Sequence, residues 1–261
     1  MVDAGLDSGN GPLRAELGQT DGLDLHAQHY TDRTGGDFFD ALRIGTRVAL
    51  LLSDIAGRRQ EADPIARAMQ QAFRVKAVEV FSAADANLME GTEVLVQAVN
   101  HALIGGAKGG ICFAPTVVAC YDAQIGVLAY INAGGQTAML RDSDGTRPLP
   151  NASLPLGLTT HMTYEASMQA FEPKARLLMV TKGVTLSRRG KEHFGADQVG
   201  QVLEGSKEQT AAGLCQAVLE AAHGFRKRGW GPLALAQRPE AEDMTALAMV
   251  RTAQFVDAGG R

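Results

Sequence analysis

The sequence predicts an α+β protein whose strands pair antiparallel. Three observations carry this: segments of strand character come first, then helical ones, then strands again; the breaks inside the second strand group are tight; and each helical segment keeps its apolar residues on one stripe. Two antiparallel sheets with helices packed outside them satisfy that order. Leu23, Leu25, Ala27 and His29 alternate along the first strand. Residues 47–53 are nearly continuously apolar and read as a strand buried on both faces. Pro64 suits a first helical turn, after which Ile65, Met69, Ala72 and Phe73 share a face. A second helix carries Val94, Leu95, Ala98, Val99, Ala102 and Leu103 at helical period. Strands follow at 113–121, 127–132 and 137–141, with hairpins expected near Ala123–Gly126 and Gly134–Gln136. Residues 163–170 and 177–181 add two more strands. A late helix stripes Leu214, Val218, Ala221 and Phe225, and 244–250 form a last buried strand.

At 261 residues and 45% hydrophobic content the chain can bury a sizeable core. The net charge of −4 gives no general pull toward nucleic acid or an anionic membrane, so neither is expected as a partner. Residues 1–21 form a Gly-, Asp- and Ser-rich lead-in expected to be flexible. They show no basic start followed by an apolar run, and no apolar stretch is long enough for a membrane span. The domain proper is expected over 22–252, with a short tail at 253–261. Three scattered cysteines without a Cys-x-x-Cys pattern suggest buried thiols in a reducing compartment, the cytoplasm.

Mg²⁺ and Mn²⁺ prefer hard oxygen ligands, and three acidic clusters beside strands could supply them. Gly35-Gly36-Asp37-Phe38-Phe39-Asp40 precedes a strand, Ser53-Asp54-Ile55-Ala56-Gly57 follows the most apolar one, and Glu240-Ala241-Glu242-Asp243-Met244-Thr245 opens the last. Taken singly, each is an ordinary turn sequence.

Taken in order, they resemble the metal-dependent (type-2C) protein phosphatases, in their bacterial stage II sporulation E branch, over residues 22–251. Asn132-Ala133-Gly134-Gly135, Leu154-Pro155-Leu156-Gly157-Leu158 and Thr181-Lys182-Gly183-Val184 add to the resemblance. It implies an α-β-β-α sandwich of two antiparallel sheets flanked by helices. It also implies hydrolysis of phosphoserine or phosphothreonine with Mn²⁺ or Mg²⁺, on a phosphorylated regulatory protein such as an anti-sigma-factor antagonist. Asp54 would bridge two ions, the Ile55 carbonyl and Asp37 would complete the second, and the first would draw on positions 182 and 242, with Asp243 beside them. Asp37 and Asp54 are thus the candidate catalytic residues, and Asp37, Asp54, Ile55, Glu242 and Asp243 the candidate metal ligands.

The pattern is broken at Lys182, where a carboxylate is expected. An ammonium has three donors and no acceptor, so it cannot ligate a metal. Glu242 stands for an aspartate, Arg58-Arg59 for small residues, and Gly135-Gln136 for His-Asn. Two functions follow: a metal-dependent phosphatase, or a pseudophosphatase that binds a phosphorylated partner without turnover.

Other features carry less. The glycine run from Gly105 to Gly110 lacks the Lys-Ser/Thr ending of a phosphate loop. The six histidines show no paired metal-ligand spacing. Arg226-Lys227-Arg228 suits a helix C-terminus.

Overall fold

The computed structural model describes residues 22–30, 36–57, 59–107, 112–150, 153–227 and 243–252, together with the backbone strand β1 (Gln19–Thr20). Two antiparallel sheets form its centre. One runs β1-β2-β13-β10-β7-β8, using β2 (Leu23–Tyr30), β7 (Thr137–Asp142), β8 (Gly145–Pro148), β10 (Arg176–Val180) and β13 (Met244–Arg251). The other runs β3-β4-β5-β6-β9, using β3 (Gly36–Ile44), β4 (Arg47–Ile55), β5 (Thr116–Asp122), β6 (Val127–Ala133) and β9 (Ser167–Ala170). A small hairpin of β11 (Arg188–Arg189) and β12 (Glu192–His193) stands apart.

Strand period two sorts the side chains into three cores. In β4, Val48, Leu50 and Leu52 turn toward the opposite sheet and meet Leu177, Met179, Leu247 and Met249. Ala49, Leu51 and Ile55 turn outward onto α1 (Arg59–Phe81) and α2 (Leu88–Gly106). Residues facing outward from β10 and β13 pack on α4 (Gly195–Gly205) and α5 (Ala211–Lys227). This is the α-β-β-α sandwich expected above.

Several boundaries differ from the sequence reading. The residues Gly36 to Asp40 do not precede a strand but form the first half of β3. The phenylalanines explain why: Phe38 packs on the helices and Phe39 between the sheets, a strand alternation set inside what looked like a turn. Pro64 lies inside α1 rather than in its first turn, because the helix starts earlier, at Arg59. The buried stripe of α2 runs through Leu88, Thr92, Leu95, Val96, Val99, Asn100 and Leu103, leaving Val94 exposed. Asn100 is drawn inward because its side chain holds the loop at Gly157, accepting from the Gly157 N–H at 2.8 Å.

Ala123–Gly126 joins β5 to β6 as a hairpin. Gly134–Gln136 does not make one, since β6 and β7 belong to different sheets. Gly134 and Gly135 both adopt positive φ there, redirecting the chain from one sheet to the other. A Cβ on Gly134 would lie 2.7 Å from Pro155, so the crossing also brings the 154–158 loop close.

Candidate active site

The same alternation that builds the inter-sheet core delivers polar residues to its end. Asp37 shares the inward face of β3 with Phe39, and Asp54 shares that of β4 with Leu52 and Leu50. The two aspartates are direct register partners across the β3–β4 ladder. From the opposite sheet, Thr245 continues the inward row of Leu247 and Met249, and Thr181 follows Met179. His29, the register partner of Thr245, continues the row of Leu25 and Ala27 in β2.

These residues meet around one carboxylate oxygen. Thr181 and Thr245 both donate their hydroxyls to Asp37 Oδ2, at 2.6 and 2.7 Å. The Thr245 N–H donates to Thr181 Oγ1 at 3.0 Å, locking the two threonines together. His29 Nδ1 lies 2.7 Å from Thr245 Oγ1, and its Nε2 lies 3.9 Å from Asp243 Oδ2. Burial and then repulsion from Asp54 push the Asp37 carboxyl well above the usual carboxylate range; the two threonine hydrogen bonds oppose this, and Asp243 adds to it. Asp37, Asp54 and Asp243 are therefore electrostatic neighbours.

The backbone at Asp54 is held by Pro115, whose carbonyl accepts from the Asp54 N–H at 3.0 Å and from Gln136 Nε2 at 3.2 Å. Gln136 Oε1 is buried without a hydrogen-bond partner among the described residues. The Ile55 carbonyl lies against Gly36, where a Cβ would come within 2.3 Å of its oxygen, so β3 and β4 need glycine there to stay paired beside the aspartates.

The second aspartate of the motif has a different task. Asp40 faces the helices, fully buried, and takes a two-point contact from Arg74 at 2.6 and 2.9 Å. It ties α1 to β3 and touches nothing at the site.

Lys182 is half-buried at the start of α3 (Lys182–Thr185), directly after Thr181. Its ammonium is not among the charges that act on Asp37. Glu242 lies outside the described residues, as do Glu240, Ala241, Arg58 and Gly35.

The donor chemistry suits a hard cation. Two opposed carboxylates and the Ile55 carbonyl would offer oxygen ligands of the kind Mg²⁺ accepts while keeping several waters. Among the described residues no group of three or more His, Cys, Asp or Glu side chains is placed to hold a metal ion.

Thr181, Thr245, His29 and Gln136 thus join Asp37, Asp54 and Asp243 at the site, although no sequence motif assigns them a role. Their signal was parity: each of the first three sits where its strand's apolar alternation predicts an inward residue, yet carries a polar group.

The fold is that of the type-2C protein phosphatase domains. The family model for stage II sporulation protein E matches residues 44–252, and the chain belongs to that family. Asp37 falls just ahead of the matched residues, so its place at the site rests on geometry.

The RsbU and RsbW domains of Rv1364c from Mycobacterium tuberculosis are 24% identical, with a TM-score of 0.65, over 90% of this chain and 63% of that one. The PP2C phosphatase domain and a regulatory fragment of SpoIIE from Bacillus subtilis are 14% identical, with a TM-score of 0.69, over 88% and 64%. The chain thus spans less than two thirds of either. The catalytic domain of the serine/threonine phosphatase PstP, whose structure holds two manganese ions, is 12% identical, with a TM-score of 0.53, over 88% of this chain and 99% of that one. No curated protein sequence matches the chain.

Proposed function

We propose that residues 22–252 form a divalent-metal-dependent protein phosphatase domain that hydrolyses phosphoserine or phosphothreonine on a bacterial regulatory protein, such as an anti-sigma-factor antagonist. The observation that carries this reading is the Asp37–Asp54 pair, opposed across one ladder with exposed Ala56 and Gly57 just beyond it. Asp37, Asp54 and the Ile55 carbonyl would hold Mn²⁺ or Mg²⁺, with Asp243 and Glu242 beside them. A bound ion there supplies an acidified water and polarises a phosphoryl oxygen. The chain's own contribution is orientation: Thr181 and Thr245 fix one oxygen of Asp37, and Pro115 fixes the backbone of Asp54.

No helix among the described residues is long and apolar enough to cross a membrane. A cytoplasmic location is part of the proposal, and the three free, buried cysteines agree with a reducing compartment. The test is phosphate release from a phosphoserine-bearing anti-sigma-factor antagonist with Mn²⁺, by wild type and Asp54→Asn. Release by the wild type alone supports the reading, and equal rates refute it.

Lys182 favours a second reading, a pseudophosphatase, because it puts a donor-only group where a ligand is expected. The same assay separates the two: retention of the phosphorylated protein without phosphate release supports the binding module.

A further inference from the structure

The hydrogen bonds around Asp37 can be followed proton by proton. A metal-binding carboxylate is ionised and only accepts hydrogen bonds. Thr181 and Thr245 each have one hydroxyl proton, and both hydroxyls point at Asp37 Oδ2. Once Thr245 has donated to Asp37, its oxygen can only accept from His29, 2.7 Å away. His29 must then carry its proton on Nδ1. The imidazole is 13% exposed and is anchored on β2 as the register partner of Thr245, so strand pairing sets its distance.

We propose that His29 is a positioning residue for the metal-binding carboxylate: its Nδ1–H orients the Thr245 hydroxyl, which with Thr181 fixes Asp37 Oδ2 and leaves Oδ1 to the ion. Without the imidazole donor, the Thr245 hydroxyl is free to rotate away, and Asp37 loses one of the two bonds that set its plane. Partners that orient a metal ligand commonly contribute 10–100-fold to affinity. The inference rests on reading Asp37 and Asp54 as metal ligands.

The experiment is Mn²⁺ titration by calorimetry on the wild type, His29→Leu, His29→Asn, Thr245→Val and Asp54→Asn, with thermal midpoints recorded in chelator. In parallel, imidazole ¹⁵N shifts are measured on the Mg²⁺-loaded wild type. His29→Leu should weaken Mn²⁺ binding about 10-fold, the low end for such partners. His29→Asn, whose amide can place a donor near the Nδ1 position, should recover most of that loss. The double variant His29→Leu/Thr245→Val should cost no more than Thr245→Val alone, since His29 acts only through the Thr245 hydroxyl. The ¹⁵N shifts should show the Nδ1–H tautomer.

Wild-type affinity in His29→Leu, an equal loss in His29→Asn, or an Nε2–H tautomer overturns the positioning role while leaving the metal site standing. Wild-type protein that binds no Mn²⁺, or binds it as Asp54→Asn does, overturns the metal-site reading and this role together. Should His29→Leu fail to fold, the Asn variant and the tautomer measurement still decide.

Discussion

Asp37 and Asp54 sit directly opposite each other on neighbouring strands, with no residue of offset between them. Like charges in that relationship repel across the ladder. Asp54→Asn should therefore act in two directions. It removes the ligand proposed to be shared, so calorimetry should show Mn²⁺ binding abolished. It also relieves the repulsion, so the chelator-treated protein should gain up to about 1 kcal/mol in urea unfolding. Unchanged Mn²⁺ binding would remove Asp54 from the site.

The raised Asp37 carboxyl makes the metal-free protein sensitive to pH. A carboxyl whose folded pKa exceeds its unfolded value binds more protons folded than unfolded, so its contribution to stability is full at low pH and is lost as pH rises through the folded pKa. Asp40, raised chiefly by burial against the pull of Arg74, acts with the same sign. In chelator, the urea midpoint should fall as pH rises through the window above the ordinary aspartate range. Asp37→Asn should flatten that fall and exceed the wild type in stability at its upper end. Identical pH profiles for the two proteins would show that Asp37 does not carry the effect.

Far from the site, Arg47 closes the end of α1. Its buried guanidinium reaches Asp122 at 2.8 Å and the carbonyls of Phe81, Ala83 and Ala84 at 2.8, 2.6 and 2.9 Å. No basic residue lies in the last turn of α1, so Arg47 takes over from a distant strand the task of satisfying those carbonyls. Arg47→Met should cost about 3–5 kcal/mol in guanidinium unfolding, because Asp122 stays buried without its counter-charge. Adding Asp122→Asn should recover part of that loss. A cost below 1 kcal/mol would show the clamp to be dispensable.

Burial also silences the thiols. It pushes Cys215 up to about 12 and raises Cys120 and Cys112 as well. A disulfide reagent at pH 8 should label none of the three at a rate faster than unfolding, and all three in denaturant. Rapid labelling of the native protein would contradict the packing around them.

Much of the fold was legible because strand alternation is a direct consequence of backbone geometry. The row Leu23, Leu25, Ala27, His29 was correct to the residue, and the apolar run at 47–53 lies within β4. The errors fell where tertiary contacts override local pattern. Gly36 sits in a strand because Phe38 and Phe39 are drawn to opposite cores, and Gly134-Gly135 turns the chain between sheets rather than back on itself. At the site, acidic residues were visible by type. The threonines and the histidine were not, since an uncharged hydroxyl draws notice only once strands distant in sequence bring it to Asp37.

Lys182 follows Thr181, whose hydroxyl holds Asp37, and is not among the charges that act on Asp37. An ammonium has no acceptor, so the expected effect of Lys182 is the absence of a ligand. Lys182→Asp supplies an acceptor at that position, so Mn²⁺ affinity and phosphate release should both rise. It also adds a carboxylate beside Asp37, Asp54 and Asp243, so stability in chelator should fall by about 1–3 kcal/mol, the usual range for disturbing a charged cluster. Lys182→Met removes the charge without supplying a ligand, and should match the wild type in Mn²⁺ affinity and in rate. The measurements are initial rate with Mn²⁺ and thermal midpoint in chelator for all three proteins. A wild type as fast as Lys182→Asp would show the lysine to be no obstacle to catalysis, and a large gain in Lys182→Met would show that charge, rather than the missing ligand, is what holds the site back.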